Sequence, residues 1–200
     1  MNNNATDQRS QGGFTLTETL VAMLLMSFVG LIVTGGIAMG ARVYGEITER
    51  ANAELLLSTT LMRMRDELDR VEEVWTKDKK TYFRTSFSNW RQLVTSAEGE
   101  GDKEKFGVFI QEYGGYDIKS APKDKLGDPW PLVTEAMGGK DELYATFDEL
   151  TYNNGNFEVK NLRVCKKQGE TPDPTKDKEL TRITEGETYK IRCLQKVTTH

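Results

Sequence analysis

The stretch TLVAMLLMSFVGLIVTGGIAMGA, residues 19–41, lies between Glu18 and Arg42 and holds no charged residue. A helix crosses a hydrocarbon core with about 20 apolar residues. No comparable run occurs elsewhere, so the chain has one anchor and a remainder built for water. The residues before it, 1–13, are polar, have no apolar core of their own and end in Gly12-Gly13. A secretory signal peptide places its small-residue cleavage site after the apolar run. Here the glycines come first, and Gly40-Ala41-Arg42-Val43 makes a poor site, so the apolar segment is expected to stay in the mature protein. Arg9 and the N-terminal amine against Asp7 give only a small positive-inside signal. The reading is a cytoplasmic N-terminus with the polar remainder outside, because a short tail is an unlikely cargo for such an anchor.

Composition removes several function classes. The net charge is -4 with 29% of residues charged in mixed sign, so no basic field exists to hold a phosphate backbone and no nucleic-acid partner is expected. The single histidine, His200, removes histidine triads and the common zinc sites. Cys165 and Cys193 are too few for a four-thiolate metal site. No nucleophile elbow, P-loop, dinucleotide fingerprint or zinc-protease string is present. Asp66-Glu67-Asp69 and Asp141-Glu142 read as solvated faces, and Asp173, Asp177 and Glu179 lack the ligand spacing of a calcium loop. No enzyme activity, cofactor or metal is expected.

Past Arg42 the helix is expected to continue to residue 80, because no proline interrupts it. Leu57, Leu61, Met64, Leu68, Val71 and Trp75 recur at alternating spacings of four and three, one stripe on one face that needs a sheet to cover it. Arg63, Arg65, Asp66, Glu67, Asp69, Arg70, Glu72 and Glu73 fill the other face. Residues 105–113 read as a strand closed by Gly114-Gly115, with Tyr116-Asp117-Ile118 returning. Residues 96–105 and 119–131 read as loops, and Trp90 and Trp130 as core anchors. Residues 144–152 and 157–166 flank Asn153-Asn154-Gly155-Asn156, a hairpin signal, and 187–197 supplies a third strand. Cys165 and Cys193 fall on these last strands, where a disulfide is expected to staple the sheet. Strand alternation complicates that pairing: Leu162 and Val164 oppose Phe157 and Val159 unless a bulge intervenes near Asn161, and two separate buried thiols are the alternative.

The junction Gly12-Gly13-Phe14-Thr15-Leu16-Thr17-Glu18-Thr19-Leu20-Val21-Ala22 resembles the class III signal of type IV prepilins and type II secretion pseudopilins. The resemblance implies cleavage after Gly13 by a membrane-embedded prepilin peptidase, N-methylation of the new terminus Phe14, and a role for Glu18 in subunit assembly. The physics beside it is informative. A carboxylate in hydrocarbon is costly unless paired. Cleavage would create the partner, the Phe14 amine, one helical turn from Glu18. In the family this pairing is drawn mostly between subunits, Glu18 of an incoming subunit neutralising the Phe14 amine of one already in place. Gly36 and Gly40 make a GxxxG spacing for close helix approach. Many pilins break this helix with proline; here none precedes Pro122, and Gly35-Gly36 is the one soft point.

The implied fold is α+β and pilin-like, a long N-terminal helix packed against an antiparallel sheet. Its parts are a leader at 1–13, a transmembrane and polymerisation helix at 14–41, an amphipathic continuation at 42–80 and an extracytoplasmic β-rich domain at 81–200. The implied partners are prepilin peptidase, other pilin or pseudopilin subunits, an assembly platform membrane protein and the cytoplasmic membrane, with a cell-surface or periplasmic filament as the destination. Residues 57–70, with Arg65-Asp66, are similar to the J-type minor pseudopilins and W-type minor pilins, which sit at or near the filament tip. The alternative is a signal-anchored extracytoplasmic binding protein that never polymerises, for which Glu18 should be dispensable.

Overall fold

Helix α1 runs from Leu16 to Leu68 in the computed structural model, which describes residues 15–86, 88–98, 104–114, 124–133, 143–169, 172–183 and 188–199. The leader, Gly13, Phe14, Asp141-Glu142 and the expected return at Tyr116-Asp117-Ile118 lie outside the described residues. The chain divides into two units, Met1–Glu46 and Ile47–His200.

In the second unit, α1 buries Ala53, Leu56, Leu57, Thr60, Met64 and Leu68. Their spacing of three and four gathers them on one stripe that enters the core of the sheets. Thr60 is tolerated there because its hydroxyl donates to the Leu56 carbonyl at 2.7 Å. The helix stops at Leu68 and does not reach residue 80. Asp69 N donates to Arg65 O at 2.9 Å to close the last turn, and strands β1 (Glu73–Lys77) and β2 (Lys80–Arg84) follow. Val71 and Val74 are buried in the extended segment that leaves the helix. The stripe spacing thus carries past Leu68 although the helix does not.

A six-stranded sheet forms from β1, β2, β3 (Trp90–Glu98), β4 (Glu104–Tyr113), β5 (Lys125–Pro131) and, at the far end of the chain, β12 (Thr198–Thr199). Its order is β12-β1-β2-β3-β4-β5. Residues 96–98 and 125–131 are therefore strand where the sequence suggested loop. β5 escaped notice because its Gly127, Pro129 and Pro131 weaken the strand pattern, and an edge position tolerates them. β12 lies parallel to β1, with Glu73 opposite Thr198, so the sheet is not purely antiparallel.

Two smaller sheets complete the described part of the second unit. One has the order β10-β9-β6, from Lys178–Arg182, Arg163–Lys166 and Leu143–Thr146; the other has the order β11-β8-β7, from Thr188–Arg192, Asn156–Lys160 and Glu149–Asn153. The expected hairpin is present: Asn153 faces Asn156 across a turn in which Asn154 and Gly155 have φ of 48° and 82°. Each flank, however, divides between the two sheets. Asn161, at φ 52°, is where the strand breaks. Phe157 and Val159 face the core before it, and Leu162 and Val164 face the core after it.

That division separates the cysteines. Cys165 lies in β9, Cys193 follows β11 in the other small sheet, and both are free, buried thiols. In place of the expected disulfide, Cys193 Sγ donates to Leu68 O at 3.7 Å and fastens the end of α1. Burial pushes both thiols up, Cys193 to about 11 with the Asp69 charge adding to the effect.

Trp90 is fully buried with the Arg84 guanidinium 4.8 Å from its ring, as a core anchor should be. Trp130 is not one; it is 39% exposed on edge strand β5, beneath Arg91. Arg91 also contacts Glu67 of α1 at 3.2 Å and Glu112 of β4 at 3.1 Å, so one side chain ties helix to sheet. In the loop before β10, Asp177 accepts from Tyr144 Oη at 2.7 Å and from the amides of Gln168 and Asp173. Asp173 in turn accepts from Thr175 and meets Lys176 at 2.8 Å. These carboxylates hold the loop's own backbone.

Candidate functional site

The first residue before α1 is Thr15, and three residues later stands Glu18. A helix leaves its first amides without carbonyl partners, and a Thr-x-x-Glu pattern satisfies them reciprocally. The structure shows this arrangement. Thr15 N and Thr15 Oγ1 both donate to Glu18 Oε2 at 2.9 Å, and Glu18 N donates to Thr15 Oγ1 at 3.4 Å. Glu18, four residues after Phe14 in sequence, is thus held with its carboxylate turned toward Thr15 at the start of the helix. Sequence reasoning singled out Glu18 and missed Thr15, although the capping pattern was in plain view. Gly13 and Phe14 lie outside the described residues, so the structure brings together Thr15 and Glu18 and does not place the cleavage pair.

Beyond this cap, α1 carries no charge from Thr19 to Ala41. An 18-residue window has a mean hydropathy of 2.4 with 0% of it buried, and among the described residues this is the one helix long and apolar enough to cross a membrane. Leu20, Met23, Ile32 and Ile37 are between 61% and 75% exposed. Exposure on this scale in water would be unfavourable; in a bilayer, or against other apolar helices, it is the expected surface. The polar side chains obey the same demand. Thr19, Ser27 and Thr34 each donate a hydroxyl to a carbonyl one turn earlier, Leu16, Met23 and Gly30, at 2.8 Å. No hydroxyl among these three is left to seek water.

The helix runs unbroken through Gly35-Gly36. A Cβ built on Gly30, Gly35, Gly36, Gly40 or Gly45 would meet nothing within 4 Å, so their small size serves no contact inside this chain. Gly36 and Gly40 therefore present an open strip of backbone, the surface that a second helix uses for close approach.

The chain matches no curated protein and no solved structure. Residues 8–34 match the family model for the prokaryotic N-terminal methylation motif, which spans the Gly13-Phe14 junction, the Thr15–Glu18 cap and the apolar segment as far as Thr34. One long helix followed by antiparallel-rich sheets is the α+β, pilin-like arrangement. The N-terminus of this chain carries a prokaryotic N-terminal methylation motif, consistent with a type IV prepilin-like signal, followed by a helix long and apolar enough to cross a membrane.

Proposed function

We propose that this chain is a minor pilin or minor pseudopilin: a structural subunit, not an enzyme, of a type IV pilus-like or type II secretion filament. It enters the cytoplasmic membrane with its N-terminus inside and Ile47–His200 outside. Prepilin peptidase removes 1–13, Phe14 is N-methylated, and the helix then passes from lipid into a filament through an assembly platform protein. The observation that carries this reading is the exposed apolar length of α1 beginning at a Glu18 that sits beside the matched processing junction. In a filament, neighbouring helices would cover that surface, and the Phe14 amine of a neighbour would meet the carboxylate. The helix carrying Arg65-Asp66 supports a place at or near the tip.

A second reading draws on the Thr15–Glu18 cap. Because Glu18 already has local partners, it could serve a signal-anchored binding protein that never polymerises. Processing tests the first reading. Co-expressed with a prepilin peptidase, the membrane-bound protein should begin at methylated Phe14 by N-terminal mass spectrometry. A protein still beginning at Met1, or one beginning near Arg42, would overturn it.

A further inference from the structure

Strands β2 and β3 meet at one register pair, Phe83 with Arg91, and then part. β2 stays with β1 along its whole length, and Thr81 donates its hydroxyl to Leu150 O at 2.8 Å, which ties β2 toward β7. β3 stays with β4, although their register shifts between Val94 and Ser96. From Gln92 to Ser96 the other edge of β3 borders a groove of about 280 Å³. Leu93, Phe147 and Leu150, each under 9% exposed, give it an apolar floor, while Val94, Thr95 and Ser96 are half-buried at its mouth. A strand edge with a neighbour on one side carries backbone donors and acceptors that an added strand can take up.

The charged residues at the groove differ in whether they are paired. Asp148 accepts from Arg163 and Asn161, each at 2.7 Å, and Glu149 pairs with Lys160 at 2.6 Å, so both carboxylates are already paired. Lys79 and Lys80, next to Thr81 on the same β2–β7 side of the groove, are exposed and have no ion-pair partner among the described residues. The free charge at the groove is positive in a chain whose net charge is -4.

We propose that this groove binds an extended acidic segment of a partner protein as an added strand. The segment would be about five residues long, matching the open edge from Gln92 to Ser96. Its carboxylates meet Lys79 and Lys80, and its alternate apolar side chains rest on Leu93, Phe147 and Leu150. The surface belongs to Ile47–His200 and does not depend on polymerisation through α1.

The test uses the full chain in detergent micelles and two fluorescein-labelled, capped hexapeptides, one alternating glutamate with valine and one alternating lysine with valine. The glutamate peptide should bind saturably and slow amide exchange across residues 92–96 by about fivefold or more, and the lysine peptide should do neither. Lys79→Glu/Lys80→Glu, at exposed positions checked by an unchanged melting curve, should weaken binding by about tenfold or more. Absence of binding overturns the proposal. So does binding without protection of 92–96, which is charge contact at the lysines alone, or binding that charge reversal leaves unchanged.

Discussion

The Glu18 carboxylate accepts both the amide and the hydroxyl of Thr15 at 2.9 Å, one residue from the position where cleavage after Gly13 would create an amine. A group with this geometry has two separable jobs: it closes the first turn of α1, and it offers a negative charge at the edge of an apolar helix. Mutations that divide the two jobs are more informative than deletion of the side chain.

Thr15→Ala removes the hydroxyl and leaves the charge. Amides in the first turn of α1 should then exchange about fivefold faster, as for a lost N-cap, while peptidase cleavage and filament incorporation persist. Hydrogen exchange of the micelle-bound protein reads the first effect and immunoblots of sheared filaments the second. Loss of cleavage in this variant would mean that the cap belongs to the peptidase's recognition surface.

The buried face of α1 gives a sharper contrast. Met64 is 0% exposed and Met62, two residues away, is 65% exposed. Met64→Ala should cost about 2–5 kcal/mol of stability and Met62→Ala less than about 0.5 kcal/mol. Thermal melts of the two variants compare them directly, and equal losses would contradict the assignment of the core stripe.

The cysteines should behave as two protected thiols. Protein denatured without reductant should take up two alkyl groups, and native protein at pH 8 should react slowly, because a Cys193 titrating near 11 is thiolate in only about one molecule in a thousand. The sign of the pH dependence follows. An unfolded thiol loses its proton near about 8.5, before the folded one, so stability contributed by Cys193 is present below that pH and is lost between about 8.5 and about 11. Cys193→Ala should flatten this decline. A band that shifts on reduction, with no free thiol in the denatured chain, would restore the disulfide.

Where the sequence could be read and where it could not has a physical cause in each case. The anchor was legible because lipid imposes a long charge-free run. The stripe from Leu57 to Leu68 was legible because a helix repeats at three and four. Its end was not, since Asp69 and Arg70 carry neither glycine nor proline, and Val71 happened to extend the spacing while lying in extended chain. Asn154-Gly155 announced its turn, whereas Asp78 and Lys79 adopt φ of 52° and 62° with lysine where glycine usually marks such a turn. The cysteine pairing depended on strands remaining in one sheet, and Asn161 sends the chain from one sheet to another. At the junction itself, Gly13, Phe14 and Glu18 stand out by resemblance, whereas the part of Thr15 rests on a Thr-x-x-Glu cap in which its hydroxyl carries no charge or spacing to set it apart from the apolar run.

The central claim, that Glu18 supplies a charge to a neighbouring subunit as α1 polymerises, is tested most directly by Glu18→Gln. Glutamine can still reach back to the Thr15 amide, so the helix cap survives while the charge is lost. Wild-type and variant protein are compared for membrane level, for an N-terminus at Phe14 and for presence in sheared filaments or crosslinked pilin complexes. The account expects equal insertion and cleavage, with incorporation of the variant reduced by about tenfold or more. Equal incorporation of the two proteins would contradict it and leave the signal-anchored binding protein as the better description.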